Sequence, residues 1–252
     1  MRLGAFGRLK KFPGGPAALG LCVASAVFTG MGLGSWAGVV VVPGHAAPDG
    51  RLLPLAVPDA TRLVPASALE SIAVPADQAA GLVNAPLAWS RDVTAPGADS
   101  KTTANQCLLA DPVGTRAAYG EEWTAFRKTT VQPAEDDDST QIVMSVGLYP
   151  SESKPRGRYV SLVSELRACD GVSATETDAI GAEFPLTFHV EPSDEEHSIR
   201  WRSEKAGAPA RSCSYDARVR RNVFLEVMVC AADPQGEGAE PVADALEEAL
   251  PA

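Results

Sequence analysis

Between Gln141 and Tyr149 the apolar positions Ile142, Met144, Val146 and Leu148 fall on alternate residues, the period of a β-strand with one face turned to a core. From Arg158 to Cys169 the period changes: Tyr159, Leu162, Val163, Leu166 and Cys169 recur at helical spacing and predict a helix whose apolar stripe points Cys169 inward. Trp123–Val131, Phe184–Val190 and Ser198–Arg202 read as further strands, the last two joined by the polar loop Pro192–His197. Glu135–Asp138 follows Pro133 and reads as a solvated acidic turn; it lacks the spaced oxygen ligands and glycine of a calcium loop. Asp111-Pro112 has the form of a helix N-cap and first residue, with Gly120 as the stop. Ser67–Glu70 has capping-box spacing before a short helix through Ile72. Pro75–Ala80 reads as a second short helix, Asp92–Lys101 as a polar loop, and Val242–Leu250 as a closing helix. The main domain is then helix, strand, strand, helix, four strands, helix, without internal repeats, and fits an α+β domain with an antiparallel sheet flanked by helices.

Cys213–Val219 and Val223–Val229 are dense in strand-forming residues and flank Arg221-Asn222. Asn tolerates the positive φ of a tight hairpin turn. Folding about that dipeptide sets Arg220 opposite Val223, Val219 opposite Phe224, Ala217 opposite Glu226 and Cys213 opposite Cys230. The cysteine pair falls at a non-hydrogen-bonded position, where Cα atoms lie about 4.5 Å apart, within disulfide reach. This register predicts a Cys213–Cys230 bridge; the alternative is two unpaired core cysteines. It also puts Arg218 and Arg220 on the opposite strand face from Glu226.

Residues 1–16 carry Arg2, Arg8, Lys10 and Lys11 and no acid, and read as a basic cytoplasmic tail. The charge-free apolar run 17–42 exceeds the ~20 residues a helix needs to cross a bilayer and is expected to be a signal anchor with the chain beyond it outside the cytoplasm. Gly44-His45-Ala46 also offers a cleavage site, which would make the protein secreted. Leu19–Cys22 loosely resembles a lipobox, with Leu21 where Gly or Ala is expected. Ala26, Gly30, Gly34 and Gly38 have the spacing of a small-residue dimer face, a route to a homodimer, although glycine-rich signal segments produce it by chance. Residues 43–60 form a Pro-rich linker, and 61–252 the extracytoplasmic domain.

A net charge of −10 disfavours nucleic acid as a partner. The membrane is expected as a partner through the N-terminal helix alone, because the acidic exported part does not suit anionic lipid. Four of the five cysteines lie beyond the apolar run, with no C-x-x-C pair, which points to an oxidising compartment rather than to zinc or dithiol chemistry. His45, His189 and His197 form no metal motif. There is no G-x-S-x-G elbow, Gly-rich phosphate loop or kinase catalytic signature. No catalytic residue, cofactor or metal is therefore expected, and the chain is read as non-enzymatic.

Three stretches, taken with the cysteine spacing, resemble the PknH-like extracellular sensor domain family. They are Cys107 through Asp111-Pro112, Tyr119-Gly120 and Trp123; Leu148-Tyr149-Pro150-Ser151 before a helix ending at Cys169; and Arg218 through Asn222-Val-Phe-Leu-Glu-Val before Cys230. The resemblance covers roughly residues 60–252. It implies the exported sensor half of a membrane-bound bacterial serine/threonine kinase, or a stand-alone secreted or lipid-anchored form. It further implies an antiparallel sheet flanked by helices, a cleft for an unidentified ligand, and bridges joining first to second and third to fourth cysteine: Cys107–Cys169 and Cys213–Cys230. This chain departs from the kinase form in having no kinase domain, and from the lipid-anchored form in its lipobox.

The expected function is thus a membrane-anchored extracytoplasmic sensor or ligand-binding domain for a small molecule or envelope ligand. Glu226, a carboxylate in an otherwise apolar strand, must reach solvent, a cleft or a basic partner; Tyr119, Trp123, Trp201 and Tyr215 are the aromatic residues available to line a cleft with it. Edge exposure or an internal ion pair for Glu226, and core packing for the aromatics, are the alternatives. An envelope protein-interaction or structural module is the alternative function, and a hydrolase without an identifiable nucleophile–base pair the last.

Overall fold

The structure, a computed structural model, describes residues 63–177, 181–205, 211–231 and 238–251. The expected tail, membrane span and linker (1–16, 17–42 and 43–60) and Cys22 lie outside the described residues. Among those described, no helix is long and apolar enough to cross a membrane. The strands are β1 (Trp89–Val93), β2 (Lys101–Thr102), β3 (Ala125–Gln132), β4 (Thr140–Leu148), β5 (Ser173–Thr177), β6 (Glu183–Glu191), β7 (Ser198–Lys205), β8 (Arg211–Arg220) and β9 (Val223–Ala231). The helices are α1 (Ala76–Leu82), α2 (Arg116–Tyr119), α3 (Ser153–Cys169) and α4 (Glu240–Glu248). The strands make one sheet in the order β1-β3-β4-β9-β8-β7-β6-β5-β2, antiparallel throughout. This is the expected α+β architecture.

β4 and β9 are inner strands and are buried along most of their length. Their alternate residues feed two cores. On one face Tyr159, Leu162, Val163, Leu166 and Cys169 of α3 pack against Phe188, Trp201, Tyr215, Phe224 and Met228. On the other, Ala79 of α1 and Val242, Ala243 and Leu246 of α4 cover Ile142, Met144, Val146, Leu148, Leu225 and Val227. Each large apolar side chain so removed from water contributes about 1.5–3 kcal/mol before entropy is counted. Gly147 is required on the α3 face: a Cβ there would meet the Tyr119 ring at 2.7 Å.

The strand order imposes a shape. β1 and β2 are the two edges of a nine-stranded sheet, so eight gaps of about 4.8 Å would hold them about 38 Å apart if the sheet were flat. Yet the chain runs from Val93 at the end of β1 to Lys101 at the start of β2, a stretch that reaches about 27 Å fully extended. The sheet must therefore curl, with the connection on its concave side. That side is the α3 face, where Gly97 faces Lys128 of β3 and Cys107, Leu109, Ala110 and Val113 enter the core.

The hairpin has the predicted register: Arg220↔Val223, Val219↔Phe224, Ala217↔Glu226 and Cys213↔Cys230. Both bridges form, Cys213–Cys230 with Cα atoms 4.0 Å apart and Cys107–Cys169 with Cα atoms 5.1 Å apart. The turn differs in one respect. Arg221 takes the positive φ, 51°, as in a turn with a left-handed first residue. Asn222 instead spends its side chain on backbone, donating to Val64 O and Tyr149 O (2.9 Å each) and accepting from Val64 N–H (2.7 Å). Asp111-Pro112 is a cis peptide and not a helix start; the helix begins at Arg116 behind Thr115, whose Oγ1 accepts from Ala118 N–H, and stops at Gly120 as predicted. The Asp111 carboxyl is engaged across the sheet and cannot cap. α3 starts five residues before Arg158, and the Ser67–Ile72 segment is a short 3-10 turn over Ala66–Ala68. Asp92 and Lys101, read as a loop, end up in edge strands.

Candidate functional site

Residues brought to the concave face come from four parts of the chain. Lys128, Ser145 and Glu226 lie in one cross-strand row, because Lys128 pairs with Ser145 and Ser145 with Glu226. Glu226 is 0 % exposed. Its Oε2 accepts the Gly114 N–H at 2.9 Å, while Oε1 has no partner. Burial pushes its carboxyl up to about 7, against the pull of the Gly114 N–H, Lys128 and the Tyr119 hydroxyl. Lys128 Nζ lies 3.3 Å from Val113 O. Burial lowers its pKa, and Glu226 and Asp111 act to restore it.

Further along the same face is a second group. Tyr215 donates to Asp111 Oδ1 at 3.1 Å, and the Ser203 hydroxyl lies 2.9 Å from the Tyr215 oxygen. Ser100 Oγ is 2.9 Å from Asp111 O and 3.3 Å from Glu176 Oε2. Ser100 thus bridges Asp111 and Glu176, the two carboxyls interact, and burial raises both, Asp111 to about 6 and Glu176 to about 8. Two buried carboxyls side by side disfavour ionisation of the second. Arg211 and Lys128 favour charge on Asp111, so Glu176 is the protonated partner. Trp201 stacks on Tyr215 with ring centroids 4.8 Å apart and donates to Ala110 O at 2.8 Å.

Of the five residues expected around a ligand cleft, the structure therefore buries Tyr119, Trp201, Tyr215 and Glu226 in the core, while Trp123 packs at its margin. Tyr119 touches Phe126 and Phe224 and donates to Ser145 O. Tyr215 and Trp201 belong to the acid cluster, and Glu226 stands between Tyr119 and Lys128. Together they support the sheet's concave face rather than wall an open groove.

The open concavity lies on the outer side of α3. A groove of about 470 Å³ runs between α3 and the 192–197 loop, lined by Arg156, Tyr159, Val160, Val163, Arg167 and Glu195 among others. Val160 is 56 % exposed, the one exposed large hydrophobic among the described residues. The loop is held down by Arg167 on Glu195 and by the Tyr159 hydroxyl on Glu195 O at 3.2 Å. A second depression of about 410 Å³ shares Arg156 and adds His197, Arg220 and Arg221. Sequence periodicity located α3 but said nothing about its outer face, since Val160 and the arginines carry no signal beyond helix exposure. Asp194, Glu196 and His197 bring three possible ligand atoms within 4.8 Å of one another. They are exposed, and Glu196 faces Arg156 at 3.9 Å, so they read as an ion-pair cluster.

Residues 64–248 match the PknH-like extracellular domain. The fold is similar to the crystal structure of the extracellular domain of PknH from Mycobacterium tuberculosis, with a TM-score of 0.68 and 16% identity over 75% of this chain and 97% of that one. No curated protein sequence matches this one.

Proposed function

The chain belongs to the PknH-like extracellular domain family, and from that premise we propose that it is a membrane-anchored, non-enzymatic extracytoplasmic sensor that recognises its ligand in the groove along α3. The observation that carries this reading is the exposed Val160 lining a concavity together with Arg156 and Arg167. An apolar contact bordered by paired charged groups, two arginines and two glutamates, suits a small molecule or envelope ligand with an apolar portion and a polar end. The charge-free 17–42 run supplies the anchor. The carboxyls, tyrosines and serines of the concave face are enclosed by core, away from any substrate-sized opening, which supports a binding role over a catalytic one.

Native mass spectrometry of the exported domain should show a retained small molecule that is lost in Val160→Asp and in Arg167→Glu. Retention unchanged in both variants would remove the groove from consideration. A phosphatase-type reporter fused after Asp59 should be active; activity only from a cytoplasmic reporter at that site would overturn the extracytoplasmic placement.

A further inference from the structure

The connection 94–115 is a chord across the curled sheet, and its seat is built on carboxyl groups. Gly97 N–H donates to Gly114 O at 2.9 Å and Arg116 N–H to Gly97 O at 3.0 Å, which closes the connection on itself. Gly114 N–H donates to Glu226. Ser100 and Asp111, both in the connection, meet Glu176 of β5 and Tyr215 of β8. Thr103 N–H donates to Thr175 O of β5 at 3.0 Å. Glu176 is 1 % exposed, and its Oε1 has no partner, so a second negative charge placed there would have no water to receive it.

We propose that residues 94–115 form a proton-latched strap: the proton retained by the Asp111–Glu176 pair seats the strap's polar contacts on β5 and β8, and its loss loosens those contacts while the Cys107–Cys169 bridge and the buried Leu109, Ala110 and Val113 keep the strap in the core. The groups facing the pair are Tyr215 and Arg211 from β8, Lys128 from β3, Ser203 from β7 and Ser100 from the strap itself. Arg211 is already tied to Asp138 at 2.6 Å, and Lys128 is shared with Glu226. These two cations offset a single charge on Asp111 and leave none for Glu176. Both carboxyls are raised by burial, to about 6 and about 8. The folded state therefore holds its extra protons at low pH, and the latch weakens as pH rises through the upper value. Acidification tightens these contacts and alkalinisation loosens them. The latch stands apart from the α3 groove, since no groove residue belongs to it.

The test is hydrogen exchange on the full-length chain between pH 5.5 and 9, corrected for the intrinsic rate. Protection of the Gly97, Thr103 and Gly114 amides should fall about tenfold relative to β4 and β9 amides between pH 6.5 and 8.5, as local opening precedes global unfolding. Glu176→Gln, which keeps a neutral donor at this position, should hold the strap seated up to pH 9. Constant protection in the parent chain, or the same pH profile in Glu176→Gln, overturns the latch. Because that variant could misfold, carboxyl carbon NMR on the unaltered chain gives an independent reading. One carboxyl of the pair should titrate above pH 7, and titration of both below pH 5 overturns the proposal.

Discussion

The two faces of the sheet handle buried charge in opposite ways. On the α4 face Arg218 bonds Asp216 twice, at 3.0 and 2.9 Å, and also meets Glu247 at 2.9 Å and Asp244 at 2.7 Å. Arg220 adds a second contact to Glu247. Every member has a partner of opposite sign, and the network docks α4 onto β8. On the α3 face, Glu226 and Asp111 share Lys128, Arg211 acts on Asp111, and Glu176 faces no cation, while unpartnered oxygens remain on Glu176 and Glu226. Burial works against Glu247 too, yet Arg218 and Arg220 hold it below the usual carboxylate range; burial still raises Asp216 against the pull of Arg218, and it wins at Glu226 and Glu176, which have no arginine partner. Compensation by two arginines fixes the ionisation of Glu247 on one face, while scarcity of cations leaves the carboxyls of the other to the proton. The consequences for stability have opposite signs. The Glu247 contribution is present above its unfolded pKa and lost as pH falls through the lower folded one; the α3-face carboxyls lose stability as pH rises.

The comparison is tested most severely at Arg218. Arg218→Met leaves Asp216, itself 1 % exposed, without its bidentate partner. Removing one member of a buried pair costs on the order of 3–5 kcal/mol, and urea unfolding at pH 7 should show a loss of that size. A loss below about 1 kcal/mol, the range of exposed pairs, would mean that the network is not what joins α4 to β8.

The next effect in size concerns the bridges, both of which serve the α3 face. Cys107–Cys169 closes a separation of 62 residues and Cys213–Cys230 one of 17. In the chain-entropy account these contribute about 4 and about 3 kcal/mol. The first ties the strap to the end of α3, whereas the second reinforces two strands already paired by their turn. Cys107→Ser/Cys169→Ser should therefore lower the midpoint of thermal unfolding more than Cys213→Ser/Cys230→Ser, and should also loosen the strap. The reverse ranking would move the anchor of the α3 face to the hairpin.

Legibility in the sequence follows the same division. The α3 stripe, the β4 alternation and the β8–β9 register rest on dense apolar patterning, and all three are present as read. β1, β2 and β5 escaped because their sequences, WSRDV, KT and SATET, bury few apolar side chains. Glu226 stood out as a carboxylate in an apolar strand, but its partners did not. Asp111 and Glu176 are brought together by the curl of the sheet, and no local spacing encodes a contact between a turn and a strand next to the sheet's far edge. The α3 groove is hidden for another reason: it is made by a loop lying over a helix face whose composition is ordinary for exposed surface.

The finest distinction between the faces lies in Glu226→Gln. Its carboxyl rises from 4.5 to about 7 in the folded state, so the folded chain binds the extra proton between those values. The resulting penalty is absent below about pH 4.5, grows as pH rises and is complete above about pH 7, where it is on the order of 3 kcal/mol. Gln keeps an oxygen for the Gly114 N–H and carries no charge to bury, but it leaves Lys128 with less to face. The gain outweighs the loss, because Lys128 still reaches Val113 O at 3.3 Å and retains Asp111 nearby. Glu226→Gln should thus stabilise by about 1–2 kcal/mol at pH 8.5, after that loss is allowed for, and should change stability by less than about 0.5 kcal/mol at pH 5. Denaturant unfolding at both pH values reads the difference directly. A loss of about 3–5 kcal/mol at both, the signature of a broken buried ion pair, would show that Glu226 and Lys128 compensate each other as fully as Asp216 and Arg218 do, and the contrast between the two faces would disappear.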